Sequence, residues 1–172
     1  MSSRSKAGDT EAGLFVAFMQ IADIFGNEAD QVVKSAGLTG AQYNVLRILR
    51  GAGKEGLACR EIGERMISRD PDITRLLDRM ERRGLITRER QSDDRRVVKT
   101  FVTPSGLSLL KGLDHPVHGL HKRQFAHISA AKLKVLAALL DELRGQQAKS
   151  CERLTRTLDS HSPKKSILEE NA

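Results

Sequence analysis

The chain has 172 residues, with 29 Lys and Arg against 22 Asp and Glu, 39% apolar residues and 3% aromatic residues. A chain of this length forms one domain that buries enough surface to fold without metal or disulfide support, and its apolar runs are far too short to cross a bilayer. The net charge of +7 favours a polyanionic partner, and we expect a cytoplasmic protein that does not enter a membrane.

The first part of the chain predicts three helices. Apolar residues recur at helical spacing over residues 14–33, which predicts a long first helix that ends near Gly37. Thr39 is the predicted N-cap of a second helix, which closes at residues 51–53. A short third helix is predicted around residues 59–66.

A fourth predicted helix is apolar on one side and rich in arginine on the other. Asp70 is its predicted N-cap, Pro71 its first residue and Gly84 its stop signal. The inward stripe recurs at i, i+3, i+4 and i+7 and consists of Ile73, Leu76, Leu77 and Met80. Arg75 and Arg82 point almost directly away from it. The flanks hold Asp72, Thr74, Asp78 and Arg79.

Beyond Gly84 the apolar period changes from 3.6 to 2, which predicts a β-hairpin. Its strands are residues 85–90 and 96–102, joined by a charged turn at residues 91–95. A helix begins at Thr103 and Pro104, with one apolar face formed by Leu107, Leu110, Leu113, Val117 and Leu120. Pro116 should kink or split that helix.

A last helix is predicted over residues 129–158. The resulting fold class is mainly α with a two-stranded β-hairpin wing. Short helices with a tight connection, followed by a basic hairpin, are the parts of a winged helix-turn-helix. Of the 12 basic residues between positions 57 and 103, 11 are arginine. Guanidinium groups form bidentate hydrogen bonds with phosphates and with guanine edges.

The segment from Asp72 to Leu110 resembles the most recognisable stretch of the MarR family of bacterial transcription regulators. It holds a recognition helix, an Arg-Gly-Leu step at residues 83–85, an Asp-x-Arg wing tip from Asp93 to Arg95, and a threonine-led helix start at residues 103–106. Upstream, residues 38–49 resemble the family's second helix. The resemblance covers about residues 12–158.

The resemblance implies a homodimer that binds double-stranded DNA at a pseudo-palindromic promoter site, most often as a repressor. Residues 38–103 would form the winged DNA-binding lobe, and residues 11–37 and 104–158 the helical dimerisation region. Residues 1–10 and 159–172 would be disordered tails. The family also implies a cleft for a small aromatic or phenolic effector, which Phe15, Phe18, Phe25 and Tyr43 would line if they do not belong to the core and the dimer interface.

The resemblance, carried over by position, also assigns the DNA contacts. On the recognition helix the implied contacts are Arg69, Pro71, Asp72, Thr74, Arg75 and Arg79, and on the wing they are Asp93, Arg95 and Arg96. Recognition helices contact bases mainly through their N-terminal residues, and Arg95 suits a narrow A·T minor groove. Two interpretations of Asp72 stay open, namely a hydrogen bond from cytosine N4 and stabilisation of the positive helix N-terminus. Arg82 contacts phosphate or nothing.

Other function classes receive less support from the sequence. The alternative within DNA binding is a low-specificity architectural protein whose charge provides most of the affinity. We find no phosphate loop, nucleophile elbow or H-E-x-x-H motif, so we expect neither an enzyme nor a cofactor. The His115, His118 and His121 run suggests a metal or pH sensor, but an exposed face is the simpler interpretation, and we expect no metal site. Cys59 is expected to be a buried structural thiol rather than a redox sensor.

Overall fold

The structure is a computed structural model that describes residues 11–68, 72–90 and 97–159, with side chains described as far as residue 145. Its elements are α1 (Glu11–Lys34), α2 (Gly40–Ala52), a 3₁₀ turn (Gly53–Glu55), β1 (Leu57–Ala58), α3 (Cys59–Arg65), α4 (Ile73–Arg82), β2 (Ile86–Arg90), β3 (Val98–Val102), α5 (Pro104–Phe125) and α6 (Ala130–Asp159). The predicted helices and hairpin strands are confirmed in type and order. The tails predicted at residues 1–10 and 159–172 lie outside the described residues, except for Asp159, which the structure places at the end of α6 instead of in a tail.

Local capping fixes where the second helix begins. The Thr39 hydroxyl accepts from the Gln42 backbone N–H at 3.2 Å, and the Gln42 side-chain oxygen accepts from the Thr39 N–H at 3.1 Å, so the two residues form a capping box. Gly53 follows α2 with φ of 58°, a left-handed conformation that glycine adopts without strain. The sequence prediction of both ends of α2 is therefore confirmed.

The wing is a three-stranded antiparallel sheet with the strand order β1-β3-β2. Ile86 faces Val102, and Arg90 faces Val98, in the register of the β2 and β3 hairpin. The additional strand, Leu57–Ala58, pairs with Thr100 and Lys99. The sequence prediction of two strands missed β1, because two residues are too few to show an alternating pattern.

The hydrophobic core lies between α2, α3, α4, α5 and the first residue of β2. Its fully buried side chains include Val45, Leu46, Ile62, Leu76, Leu77, Met80, Ile86 and Leu110. The inward stripe predicted for α4 is thus confirmed, although Ile73 is only half-buried. On α5 the predicted face is buried except at Leu107, which is 40% exposed.

Helix α1 contributes little to this core. Val33 is its one buried residue among those described. Phe15 and Phe18 are more than half exposed, so they are not core residues of this chain, whereas Phe25 is half-buried with its ring 5.3 Å from that of Phe125 in an edge-to-face contact. The helical period of α1 was predicted correctly, but only the C-terminal end of its apolar side, at Val32 and Val33, packs against the core of its own chain.

Helix α5 runs without a break through Pro116. Of the two outcomes predicted for Pro116, a split is therefore wrong, and a kink stays a prediction. The Thr103 hydroxyl caps the helix by accepting from the Gly106 N–H at 3.1 Å, as expected for a helix that starts at Thr103 and Pro104. No helix in the described part of the chain is long and apolar enough to span a membrane.

The contacts within the chain define two compact units, the first ending at Phe125 and the second beginning at Ala126. The second unit consists of α6, whose first turn is capped by Ser129, with its hydroxyl oxygen 3.4 Å from the Lys132 backbone nitrogen. Val135, Leu139 and Leu143 on this helix are more than half exposed.

Gly106 and Gly112 provide a matched test of packing on one helix. A methyl group at Gly106 would overlap the backbone oxygen of Leu85, whereas one at Gly112 would meet no atom within 4 Å. We expect Gly106→Ala to lower the free energy of unfolding by about 1–3 kcal/mol through overpacking, and Gly112→Ala to raise it by up to about 1 kcal/mol through helix propensity. Urea unfolding measures both, and equal effects would show that the close approach at Gly106 is not limiting.

Candidate nucleic-acid interface

Helix α4 begins two residues later than its sequence predicts. Asp72, not Asp70, is the N-cap, and its carboxylate accepts from the Arg75 backbone N–H at 3.4 Å. Asp70 and Pro71 lie outside the described residues. The bond to the Arg75 N–H is the helix-stabilising interaction that the sequence left open for Asp72.

The side of α4 opposite the core is a polar, solvent-exposed surface. Thr74, Arg75 and Arg79 are all exposed on it, in agreement with the helical wheel. The Arg75 guanidinium Nε lies 3.2 Å from the second carboxylate oxygen of Asp72, while 78% of the Arg75 side chain stays accessible. Asp72 thus caps the helix and also restrains Arg75, which leaves much of the guanidinium free to meet a ligand.

The wing is tied to α4 through Arg88. This side chain, on β2, donates from Nε to Glu81 at 2.9 Å and from Nη2 to Asp78 at 2.7 Å. The hydrogen bond to Glu81 raises the pKa of Arg88 above its ordinary value, so the guanidinium remains charged at any physiological pH. One cation of the wing therefore pairs with two carboxylates of α4.

Two further polar contacts fix the end of α4. Arg83, the residue after the helix, donates from Nη1 to the side-chain oxygen of the buried Gln42 at 3.1 Å, which joins α4 to the capping box of α2. The Thr103 hydroxyl donates to the Gly84 carbonyl at 2.7 Å. Polar side-chain contacts beside the core therefore join α4 to α2, to the wing and to the start of α5.

Five of the predicted contact residues lie outside the described part of the chain, namely Arg69, Pro71, Asp93, Arg95 and Arg96. Asp72, Thr74, Arg75 and Arg79 are described and lie together at the start and outer side of α4. The DNA contacts of all nine residues stay predictions.

Sequence reasoning missed Arg88. Strand alternation places Arg88 on the same side of β2 as the buried Ile86. A cation on that side needs a carboxylate partner, and this signal was available in the sequence.

The other residues that the sequence suggested as possible sensors are the histidines of α5 and Cys59. His115 and His118 are exposed, as expected, and His121 Nδ1 lies 3.0 Å from the Gln124 side-chain oxygen. In the described ranges, no three His, Cys, Asp or Glu side chains gather as metal ligands. Cys59 is half-buried against the core rather than buried as predicted.

Comparison with known proteins gives concordant matches. A sequence model of the MarR family matches residues 36–97. The chain is 31% identical over 148 residues to the HTH-type transcriptional regulator TtmR of Methylorubrum extorquens (strain PA1), covering 84% of this chain and 74% of that protein. It is 27% identical over 129 residues to the homoprotocatechuate degradative operon repressor of Escherichia coli, covering 75% of this chain and 86% of that protein.

Solved structures show the same fold. A MarR transcription factor from Planctomyces limnophilus is 36% identical, with a TM-score of 0.60 over 77% of this chain and 96% of that chain. A MarR mutant from Escherichia coli, crystallised with operator DNA, has a TM-score of 0.69 at 21% identity over 76% of this chain and 92% of that chain. The second likeness concerns the fold alone.

The dual role of Asp72 predicts different effects of two substitutions on stability. Asp72→Ala removes the N-cap and should lower the free energy of unfolding by about 1 kcal/mol. Asp72→Asn keeps a side-chain oxygen of equal capping strength and should change stability by only a few tenths of this amount. Urea titration of both variants decides the point, because equal losses would assign the stabilising role to the carboxylate charge rather than to the cap.

Proposed function

The chain belongs to the MarR family of transcriptional regulators, and from this premise we propose that it is a sequence-specific DNA-binding repressor. It acts as a homodimer on a pseudo-palindromic promoter site and is released by a small aromatic or phenolic effector. Each lobe inserts α4 into a major groove, with Arg75 reading base edges and the wing residue Arg95 entering the adjacent minor groove.

The observation that carries this proposal is the two-sided character of α4. Leu76, Leu77 and Met80 are at most 1% exposed, whereas Arg75 and Arg79 are exposed on the other side. An α-helix with one fully buried face and a free face bearing forked guanidinium donors has the shape and the chemistry to read a major groove. The likeness in fold to a MarR protein crystallised with operator DNA agrees with this use.

The exposed apolar side chains of α1 support the homodimer. Leu14, Phe15 and Phe18 are 61%, 65% and 55% exposed, and the same helix also exposes Val16, Met19, Ile21 and Ile24. A monomer rarely leaves a contiguous apolar surface of this kind in water, and such a surface marks a protein interface. A second copy of α1 offers the matching apolar surface by symmetry.

A cleft between α1 and α5 supports the effector. It has a volume of about 590 Å³, within the range of small-molecule sites. Its lining combines apolar and polar groups: Phe25, Glu28, Gln31, Val32, Leu120, Arg123 and Gln124. Phe25 gives an aromatic ligand a stacking surface, and Arg123 gives an acidic or phenolic ligand a counter-charge.

The role of repressor and the class of effector receive support from a relative. The homoprotocatechuate degradative operon repressor of Escherichia coli is a repressor by name, and the compound in that name is aromatic. Repression follows physically when a dimer occupies a promoter that RNA polymerase needs.

Sequence specificity is tested by comparing the affinity for a selected DNA site with the affinity for random duplex at the same salt concentration. Wild type should prefer the selected site, and Arg75→Ala should weaken that complex by about 1–3 kcal/mol with relaxed preference at one base pair per half-site. Arg144→Ala is the charge-matched control, since Arg144 lies on α6 with 84% of its side chain exposed. A wild-type affinity ratio near one would instead favour the low-specificity architectural protein.

Sedimentation velocity tests the homodimer. Wild type should sediment at micromolar concentration with twice the 19.0 kDa chain mass, and Phe18→Glu should shift the population to monomer because it places a charge in the apolar interface. Ile67→Glu is the control, since Ile67 is 84% exposed but lies outside α1. A wild-type monomer, or dissociation caused equally by both substitutions, would contradict the assignment of α1 to the interface.

A further inference from the structure

Helix α4 has no net charge of its own. From its cap Asp72 to its last residue Arg82, it holds three arginines and three carboxylates. Phosphate contacts need cations that are not already neutralised by neighbours. The number of arginines that DNA can engage therefore depends on how these six charges are arranged and not on their sum.

The spacing along α4 favours pairing within the helix. Asp78 precedes Arg82 by four residues, the orientation in which an acid and a base on one helix attract each other best. In the structure this ion pair is not formed. Arg82 instead points its Nε toward the Asp78 backbone oxygen at 3.4 Å, and the Asp78 carboxylate accepts from Arg88 at 2.7 Å.

Arg88 reaches both carboxylates from outside the helix. Its planar guanidinium contacts Asp78 and Glu81 together, and only 28% of its side chain is exposed. Lysine cannot match this geometry, because an ammonium group is a single point of charge without a fork. Arg88 of the wing thus pairs with both of the carboxylates that lie among the arginines of α4.

We propose that Arg88 is a positioning residue for DNA binding: it sequesters the carboxylates of Asp78 and Glu81 and so leaves Arg79 and Arg82 available to DNA phosphates. This inference rests on the proposed DNA-binding function and extends it to a residue that need not touch DNA. It also couples the wing to α4, since a wing displaced from α4 releases two carboxylates beside the phosphates.

A thermodynamic cycle on DNA affinity tests the proposal. Arg88→Met keeps the apolar stem but removes the fork, and we expect it to weaken binding to both selected and random duplex about tenfold, within the range of coupled charges. Combining it with Asp78→Asn and Glu81→Gln should restore wild-type affinity to within about twofold. If Arg88 itself contacts phosphate, the two acid substitutions raise affinity no more in Arg88→Met than they do in wild type, which overturns the proposal.

Arg90 provides the matched control. It lies two residues further along β2, is exposed, and has no described carboxylate partner on α4. Asp78→Asn and Glu81→Gln raise local positive charge in any background, so the informative quantity is the coupling. We expect coupling with Arg88→Met of about fivefold or more and coupling with Arg90→Met of less than about twofold. Equal coupling in both backgrounds would overturn the proposal.

The salt dependence of binding separates this role from a merely structural one. Loss of phosphate contacts by Arg79 and Arg82 should lower the slope of log K against log salt by about one to two in Arg88→Met, and the triple variant should recover the slope. A loss of fold lowers the active fraction but leaves this slope unchanged. An unchanged slope in a weakened Arg88→Met would therefore overturn the proposal.

Two further results distinguish a failure of this proposal from a failure of the proposed function and from a failure of the variant to fold. If wild type does not distinguish a selected site from random duplex, the proposed function fails, whereas a wild type that discriminates without Arg88 coupling refutes this inference alone. If Arg88→Met does not fold by circular dichroism, the same cycle uses Arg88→Lys. Lysine can pair with only one of the two carboxylates, so we expect a coupling of about threefold. A lack of coupling would overturn the proposal.

Discussion

The burial of one side of α4 is the constraint on which the rest of the lobe depends. Leu76, Leu77 and Met80 are at most 1% exposed, and burying each contributes about 1.5–3 kcal/mol. Any rotation of the helix that brought Arg75 inward would expose these side chains and bury an unpaired charge. The orientation of the arginines is therefore set by the buried side chains on the opposite side of α4.

The exposed ion pairs around α4 orient it more than they stabilise it. Ion pairs that are largely exposed contribute about 0–1 kcal/mol, and the Asp72 and Arg75 pair is of this kind. The contribution of the polar contacts is to hold α4 in position. Arg83 joins the end of α4 to the capping box of α2, and Thr103 joins the following turn to α5. Polar side-chain contacts thus hold the end of α4 against α2 and against the start of α5.

The sequence predicts those features that one element determines alone. Thr39 was identified as a cap from its residue type and its position before an apolar run, and the structure adds its partner Gln42, three residues away. Asp70 and Asp72 have the same residue type, so residue type does not decide between them as caps. The apolar period of α1 is the same for a core face and for an exposed face, so periodicity did not distinguish them. The partners of Arg88 lie 7 and 10 residues away across a turn, and only the fold brings them together.

The net charge of +7 and the chemistry of α4 act at different stages of recognition. Long-range attraction to a polyanion depends on total charge, is screened within about 10 Å at ordinary salt, and favours no sequence. Contact depends on which guanidinium groups are unoccupied when the helix reaches the groove. Because α4 with its cap carries as many carboxylates as arginines, its own net charge adds little to this long-range attraction. On the proposed function, the affinity of α4 for DNA must therefore come from individually placed contacts, which favours discrimination between sites over uniform attraction.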